Sequence, residues 1–242
     1  MPTILNIETS TEVCSVALTA DGQVLDHHEC YDGPSHSTLL SAYVRDALHY
    51  VRSRDLHIDA VAVSVGPGSY TGLRIGLSEA KGLAFGLDVP LIGVSTLQLL
   101  AVSTMFADFY DEDVLYAPMI DARRMEVYSA VYDSALRPVV EPCAMILDQD
   151  SLFDLLAQHK LVIAGNGAAK AQTVIRHPNA VFKPEVKPVA LEMMALSEKA
   201  FREQDFIDVA YSTPTYLKEF QAIKPRNKVL ESALHDKESA KE

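Results

Sequence analysis

The sequence predicts an α/β chain built from two similar halves, and three observations predict it. Short apolar runs alternate with helix-period segments along the chain, which is typical of sheets covered by helices. Residues 60–65 are nearly all apolar, as in a parallel strand that is covered on both faces. The strand pattern restarts after a polar, acidic stretch at 108–113. We therefore expect two subdomains, 1–107 and 108–221, and a charged tail at 222–242.

The first half begins with a strand meander and a helix. Gly33 and Pro34 end the meander, and Ser35 stands where it can cap the helix. The apolar residues of this helix span more than half of its circumference, whereas one core needs a stripe of about 100°. We therefore expect the helix to lie deep in the fold or to pack on a partner as well. The predicted elements are strands at 3–8, 13–19 and 24–31, a turn at 20–23, and the helix at 36–52.

A glycine-rich loop, Gly66-Pro67-Gly68-Ser69-Tyr70-Thr71-Gly72, joins the strand at 60–65 to a helix at 73–87. Unpaired N–H groups at a helix N-terminus suit phosphate. The loop nevertheless lacks the Gly-Lys-Ser/Thr of a P-loop, and Thr71 stands where a dinucleotide fingerprint has its third glycine. Two interpretations stay open, a tight strand-to-helix turn and a phosphate cradle.

The second half repeats the pattern of the first. A strand at 91–94 and a helix at 95–106 complete the first half, and Glu8 and Asp121 then fall at equivalent strand ends of a weak internal repeat. The predicted elements of the second half are strands at 114–120, 125–132 and 160–164, and helices at 149–158, from 168, and at 189–203.

Two strand-end carboxylates are candidates for chemistry. Glu8 is followed by hydroxyl residues, so it could hold Mg²⁺ through water while the hydroxyls reach phosphate. Asp121 is its counterpart, but Arg123 and Arg124 follow it, and a structural ion pair is equally open. The eight histidines show no metal-ligand spacing, and no nucleophile set is identifiable. We expect no catalytic residue, no metal and no cofactor.

Composition restricts the partners and the compartment. With 33 acidic and 21 basic residues the net charge is −12, which argues against a chain that grips nucleic acid by itself. The three cysteines are spread along the chain without a C-x-x-C motif, which excludes a disulfide framework. No secretory signal and no apolar run of about 18–20 residues is visible. We expect a cytoplasmic protein that does not bind membranes.

Four segments resemble the bacterial TsaB (YeaZ) family. They are Ile4-Leu5-Asn6-Ile7-Glu8-Thr9-Ser10, the run from Val63 to Arg74 around the glycine loop, Lys81-Gly82-Leu83-Ala84 and Pro214-Thr215-Tyr216-Leu217-Lys218. The resemblance covers the chain up to about Lys218. It implies two duplicated ribonuclease H-like subdomains of the actin, sugar-kinase and Hsp70 ATPase superfamily.

The resemblance also implies a function. The family acts with the related enzyme TsaD in making N6-threonylcarbamoyladenosine at position 37 of ANN-decoding tRNAs. The catalytic relative carries a His-x-x-x-His metal motif after the strand equivalent to 91–94, whereas Ser95-Thr96-Leu97-Gln98-Leu99-Leu100 follows here. The resemblance thus implies a non-catalytic, activating subunit without a cofactor. The alternative is a small ATP-dependent, kinase-like enzyme that acts alone.

The resemblance further implies the partners and two sets of site residues. The partners are a TsaD-like subunit, a TsaE-like ATPase in a larger assembly, a second copy of the chain when the partner is absent, and tRNA only indirectly. A degenerate nucleotide cleft is expected at Glu8, Thr9, Ser10, Gly66, Gly68, Gly165, Asn166 and Gly167. The helices at 36–52 and 73–87 are expected to bind the partner, with glycines that permit close approach. The candidate contacts are Leu39, Tyr43, Tyr50, Leu73, Leu77, Ala80 and Ala84, and their alternative place is the chain's own core.

Overall fold

The computed structural model describes residues 2–33, 36–108, 110 and 113–218, and these form two five-stranded mixed sheets. In each sheet the first three strands are antiparallel neighbours, and the fourth and fifth run parallel to the first. The first sheet, ordered β3-β2-β1-β4-β5, contains β1 Thr3–Glu8, β2 Cys14–Ala20, β3 Gln23–Cys30, β4 Ala60–Gly66 and β5 Leu91–Ser95. The second, ordered β10-β9-β6-β7-β8, contains β6 Leu115–Asp121, β7 Glu126–Tyr132, β8 Pro138–Ile146, β9 Leu161–Ala164 and β10 Ala180–Lys183.

Both sheets therefore have the same strand order, because the second sheet, when read from the β8 edge, also gives its third, second, first, fourth and fifth strands. This order confirms the expected α/β fold of two duplicated, ribonuclease H-like subdomains. The weak repeat that aligns Glu8 with Asp121 corresponds to the last residue of the first strand in each sheet.

Helices cover the sheets. They are α1 His36–Ser53, α2 Tyr70–Leu87, α3 Thr96–Ala107, α4 Phe153–Leu156, α5 Ala168–Val174 and α6 Met194–Glu203, with a 3₁₀ turn at Ala190–Met193. Buried side chains of α1 and α2 pack on one face of the first sheet, and α3 and α6 cover its other face. In the described ranges, no helix is both long enough and apolar enough to cross a membrane.

Helix α3 joins the two halves. Leu99 packs with residues of the first sheet, whereas Leu97 and Leu100 pack with residues of the second. The helix is accordingly buried around nearly its whole circumference through Thr104. A helix that is apolar on all sides needs such a position between two layers.

Several elements differ from the predictions. Helix α2 begins at Tyr70 rather than at 73, because the Ser69 hydroxyl accepts a hydrogen bond from Gly72 N–H and caps the helix there. The helix predicted at 149–158 shrinks to α4, since Asp148 and Ser151 form local side-chain hydrogen bonds that compete with a helix. The predicted helix at 189–203 is divided into the 3₁₀ turn and α6, and strands β8 and β10 were not predicted.

The last part of the described chain returns to the first sheet. Ala190 N–H donates to Ser15 Oγ at 2.9 Å, Ile207 pairs with Leu91, and Thr215 N–H donates to Val65 O at 2.7 Å. The last part of the predicted second subdomain thus contacts the first sheet, and the bounds 108–221 stay a prediction. The predicted cap Ser35, part of the acidic stretch at 108–113 and the tail at 222–242 lie outside the described residues.

Candidate functional site

The glycine-rich loop packs directly on the turn that follows β1. A Cβ atom at Gly68 would lie closer than 3.0 Å to the backbone oxygen of Ser10, and one at Gly72 equally close to that of Thr9. At Gly76, one turn further along α2, a Cβ would meet the Thr9 hydroxyl. These glycines are therefore required by the close approach of the chain's own backbone, which favours the tight-turn interpretation.

The N-terminus of α2 already has hydrogen-bond partners. Ser69 N–H donates to Ser10 O at 2.7 Å, and Gly72 N–H donates to Ser69 Oγ at 3.2 Å. Thr9 Oγ1 in turn donates to Gly72 O at 2.8 Å. A phosphate cradle depends on N–H groups that are left for the ligand. Here the N–H of Ser69 instead holds the turn at 8–10, and the N–H of Gly72 is used by the helix cap.

Glu8 is fully buried beneath this loop. Ser10 N–H donates to its Oε1 at 2.5 Å, while Oε2 accepts no hydrogen bond from a described residue. Burial raises the pKa of Glu8 from 4.5 to about 7, and hydrogen bonding from Ser10 partly opposes the rise. A carboxyl in this environment is readily protonated near neutral pH and has no path to a hydrated ion at the surface.

Asp121, the counterpart of Glu8, lies in a different environment. Its side chain is partly exposed, and Lys170 Nζ lies 2.8 Å from Oδ1. Asn166 Oδ1 accepts from Asp121 N–H at 2.8 Å, and Arg123 N–H donates to Oδ1 at 2.6 Å. The carboxylate thus forms an ion pair with Lys170, a residue that the sequence pattern did not single out.

The second glycine loop, Gly165-Asn166-Gly167, also packs tightly against its own half of the chain. A Cβ at Gly165 or at Gly167 would lie closer than 3.0 Å to backbone atoms of Met119. Asn166, between them, donates to Glu12 Oε2 of the first half at 3.4 Å. The cavity at this junction measures about 10 Å³, whereas small-molecule sites occupy about 300 Å³ or more. Its lining residues are Thr11, Glu12, Leu100, Ile120, Asn166, Val186, Lys187 and Pro188.

Seven of the eight predicted cleft residues therefore lie in two packed groups. In the first half Ser10 meets Gly68 and donates its N–H to Glu8, and Thr9 packs against α2 beside them. In the second half Gly165 to Gly167 meet β6. Gly66 packs against the backbone of Thr215. Whether this junction admits a nucleotide stays a prediction. In the described ranges, no group of three or more His, Cys, Asp or Glu side chains is arranged to hold a metal ion.

The predicted interface residues divide by burial. Leu73, Leu77, Ala80 and Ala84 are buried and face the first core, so their prediction as partner contacts is corrected. They share one stripe of α2, and this stripe packs on the first sheet. Leu39, Tyr43 and Tyr50 of α1 are half-buried at the edge of the same core, and their contact role stays a prediction.

The outward side of α2 carries residues that the prediction missed. Phe85 is 83% exposed, and a Cβ at Gly82 or Gly86 would meet no atom within 4 Å. Ser78, Gly82 and Phe85 lie at helical spacing, so they share a face. Helical periodicity combined with the helix glycines was the signal that could have found this face.

Residues 210–216, near the end of the described chain, contact one flank of α2. Lys81 Nζ donates to Ala210 O at 3.1 Å and to Ser212 O at 2.6 Å. Near the start of the helix, Arg74 Nε donates to Tyr216 OH at 3.2 Å. The orientation of α2 is thus fixed from the sheet side and from one flank.

Comparison with known proteins now assigns the family. Residues 32–233 match the family model "TsaD: tRNA N6-adenosine threonylcarbamoyltransferase". The tRNA threonylcarbamoyladenosine biosynthesis protein TsaB of Escherichia coli is 33% identical over 221 residues, which cover 89% of this chain and 94% of that protein. The chain belongs to the TsaB family. TsaB of Bacillus subtilis is 37% identical over 130 residues, 54% of this chain and 55% of that protein.

Solved structures agree with this assignment to the TsaB family. YeaZ from Pseudomonas aeruginosa has a TM-score of 0.72 at 28% identity, covering 90% of this chain and 100% of that one. A second crystal structure from the same organism, described as an uncharacterized protein with similarity to peptidase YEAZ, has a TM-score of 0.78 at 29% identity, with the same coverage. The fold and the arrangement of its two halves are therefore those of the family.

Proposed function

We propose that the chain is a non-catalytic subunit that binds and activates a TsaD-like enzyme. That enzyme would transfer a threonylcarbamoyl group to N6 of adenosine 37 in ANN-decoding tRNAs. Family membership supports the pathway, since the relatives are named for threonylcarbamoyladenosine biosynthesis.

The start of α3 supports a non-catalytic role. This helix follows β5, where the resemblance places the His-x-x-x-His motif of the catalytic relative. Its sequence, TLQLLAVSTMFA, contains no histidine, and Thr96 and Leu100 are buried at its beginning. Hydroxyl and alkyl side chains in these positions are poor substitutes for imidazole ligands.

The packed glycine loops support the same division. The backbone of Thr9 and Ser10 fills the space beside Gly68 and Gly72, and the cavity lined by Glu12 and Asn166 measures about 10 Å³. The kinase-like alternative needs a nucleotide there. Calorimetry with Mg-ATP tests it: micromolar binding to the isolated chain would favour that alternative over a supporting subunit.

The exposure of the outward face of α2 is the observation that supports the proposal most directly. Phe85 is a large apolar side chain that stands 83% exposed next to Gly82 and Gly86. Small residues let another helix approach closely, and exposed aromatic side chains are frequent anchors of interfaces. We therefore assign this face, defined by Ser78, Gly82, Phe85 and Gly86, to the TsaD-like partner. Half-buried Tyr43 of α1 stays a candidate contact on the other predicted interface helix.

The experiment mixes the purified chain with the TsaD-like subunit of the same cell and determines the mass of the product by light scattering. Wild type should form a heterodimer, and Phe85→Asp should remove it while the melting temperature stays within about 2 °C. Phe106→Asp, at the 68% exposed end of α3, is the matched control and should still bind. Assembly of the Phe85 variant with full tRNA modification would contradict the assignment of this face.

The remaining partners follow from the same proposal. A second copy of the chain would occupy the α2 face when the TsaD-like subunit is absent, so the Phe85 variant should also be monomeric. A TsaE-like ATPase would join the assembled pair. With a net charge of −12, the chain is expected to leave the grip on tRNA phosphates mainly to the other subunits.

A further inference from the structure

We propose that Cys14 and Cys30 form an intramolecular disulfide when a low-molecular-weight disulfide such as oxidised glutathione acts on the folded protein. The pair is then a modification site at the edge of the first sheet. This inference is independent of the proposed function, because it depends only on the register of two strands and on the chemistry of their thiols.

Strand register brings the two cysteines together. Strands β2 and β3 are antiparallel, and Cys14 lies directly opposite Cys30. Residues opposed in this way have Cα atoms about 4.5 or 5.5 Å apart and side chains on the same face of the sheet. Both separations fall within the range of about 4.4–6.8 Å that disulfides span. The chain's three cysteines are thiols in this structure.

Accessibility sets the order of the steps. Cys30 lies on the edge strand β3 and is partly exposed, whereas Cys14 is fully buried. The Cys30 thiolate attacks one sulfur of the oxidant, whose S–S bond breaks and releases one thiol. The Cys14 thiolate then attacks the Cys30 sulfur and displaces the second thiol. The two released thiols carry the two cysteine protons. Oxidation of Cys14 and Cys30 to the disulfide supplies the two electrons that reduce the oxidant.

The second step is expected to be slow and to depend on pH. Burial, with smaller contributions from the negative charges of Cys30 and Glu8, raises the pKa of Cys14 from 9.0 to about 11. Cys30 on β3 faces Cys14 directly, whereas Glu8 lies opposite Ser15 and therefore on the other face of the sheet. His28 lies on the same face of β3 as Cys30, and the ring of Tyr43 of α1 stacks on it. Each unit of pH below about 11 changes the thiolate fraction about tenfold, so closure should accelerate as pH rises.

Helix α1 packs on the face of the first sheet that carries Cys14 and Cys30. The ring of Tyr43 stacks on His28 with centroids 5.2 Å apart. Burial raises the pKa of the Tyr43 phenol, and the charges of Cys30 and Cys14 add to this. His28 is two residues from Cys30 on the same face of β3, and Tyr43 packs on the core cluster that contains Cys14. A disulfide would therefore tie the edge strand β3 to β2 beneath Tyr43, a residue that we predict to contact the partner.

The experiment treats the folded, full-length chain with oxidised glutathione at about pH 8, alkylates the remaining thiols and maps the peptides by mass spectrometry. A peptide joining Cys14 to Cys30, lighter by two hydrogens, should exceed any product that joins Cys143 by about tenfold or more. Cys143 is the matched control, because Ser129 lies opposite it in the neighbouring strand. Reduction should restore the starting mass.

Two variants separate the steps. Cys14→Ser should leave Cys30 as a lasting mixed disulfide with glutathione, and Cys30→Ser should leave Cys14 unmodified. Wild-type protein in which Cys30 also stops at the mixed disulfide, or links equally to Cys143, would overturn the proposal. The same treatment in urea is the reference, because an unfolded chain should also link Cys143, at the lower yield that its longer loops impose. The folded chain should show no link to Cys143, and a folded-state preference no greater than that in urea would also overturn the proposal.

Discussion

Glu8 provides a prediction that can be worked out from the structure. The carboxyl is fully buried, Ser10 N–H donates to its Oε1, and burial raises its pKa from 4.5 to about 7. A carboxyl whose pKa is higher in the folded state stabilises the fold while it is protonated. That stability is fully present below pH 4.5 and is lost as the pH rises through about 7.

The size of the effect follows from the change in pKa. A tenfold change in proton affinity corresponds to about 1.4 kcal/mol, so a pKa raised from 4.5 to about 7 corresponds to about 3 kcal/mol. Glu8→Gln keeps the shape and an acceptor oxygen but carries no charge at any pH. The free energy of unfolding of this variant, relative to wild type, should therefore rise by about 2.5 kcal/mol between about pH 5 and about pH 8.

Urea unfolding at both pH values measures this difference. Glu141→Gln, which removes an exposed carboxylate from β8, is the control and should follow wild type at each pH. A difference between the Glu8 variant and wild type that is the same at both pH values would refute the reasoning. Selective ¹³C labelling of the Glu8 carboxyl provides a direct second test, because its chemical shift should titrate near 7.

Further predictions concern α2. Gly72→Ala should lower the free energy of unfolding by about 3 kcal/mol, because its Cβ would overlap the backbone oxygen of Thr9. Gly82→Ala should instead raise it by about 0.5–1 kcal/mol, since the site is open, yet it should weaken partner binding. Equal effects of the two alanines in urea unfolding would contradict the packing described here. Ser69→Ala should cost about 1 kcal/mol by the same measurement, and no loss would show that its hydroxyl does not cap the helix.

Much of the fold could be predicted from local pattern. The strand at 60–65 and the helix at 36–52 were recognisable because an apolar run and a 3.6-residue period are local properties. The helix at 149–158 was wrong, since the hydrogen bonds of Asp148 and Ser151 do not appear in a hydrophobic pattern. Strand β10 was missed because four half-buried residues give almost no periodic signal.

The candidate site was less predictable. Leu73 and Leu77 share a stripe of α2 whatever the fold, but the sequence does not say whether the sheet or a partner covers that stripe. In the structure the sheet covers that stripe of α2, whereas Phe85 is exposed to solvent. Similarly, Glu8 and Asp121 hold equivalent positions, yet one is buried and the other pairs with Lys170.

The sequence by itself determined the order of the elements, the duplicated halves, the family motif around the glycine loop, and the lack of histidine after β5. Only the tertiary structure decided what the glycines of that loop contact, which side of α2 is exposed, and that Cys14 lies opposite Cys30. The reason is physical. Periodicity and turn chemistry act between residues close in the chain, whereas burial, pKa and strand register depend on atoms that distant segments bring together.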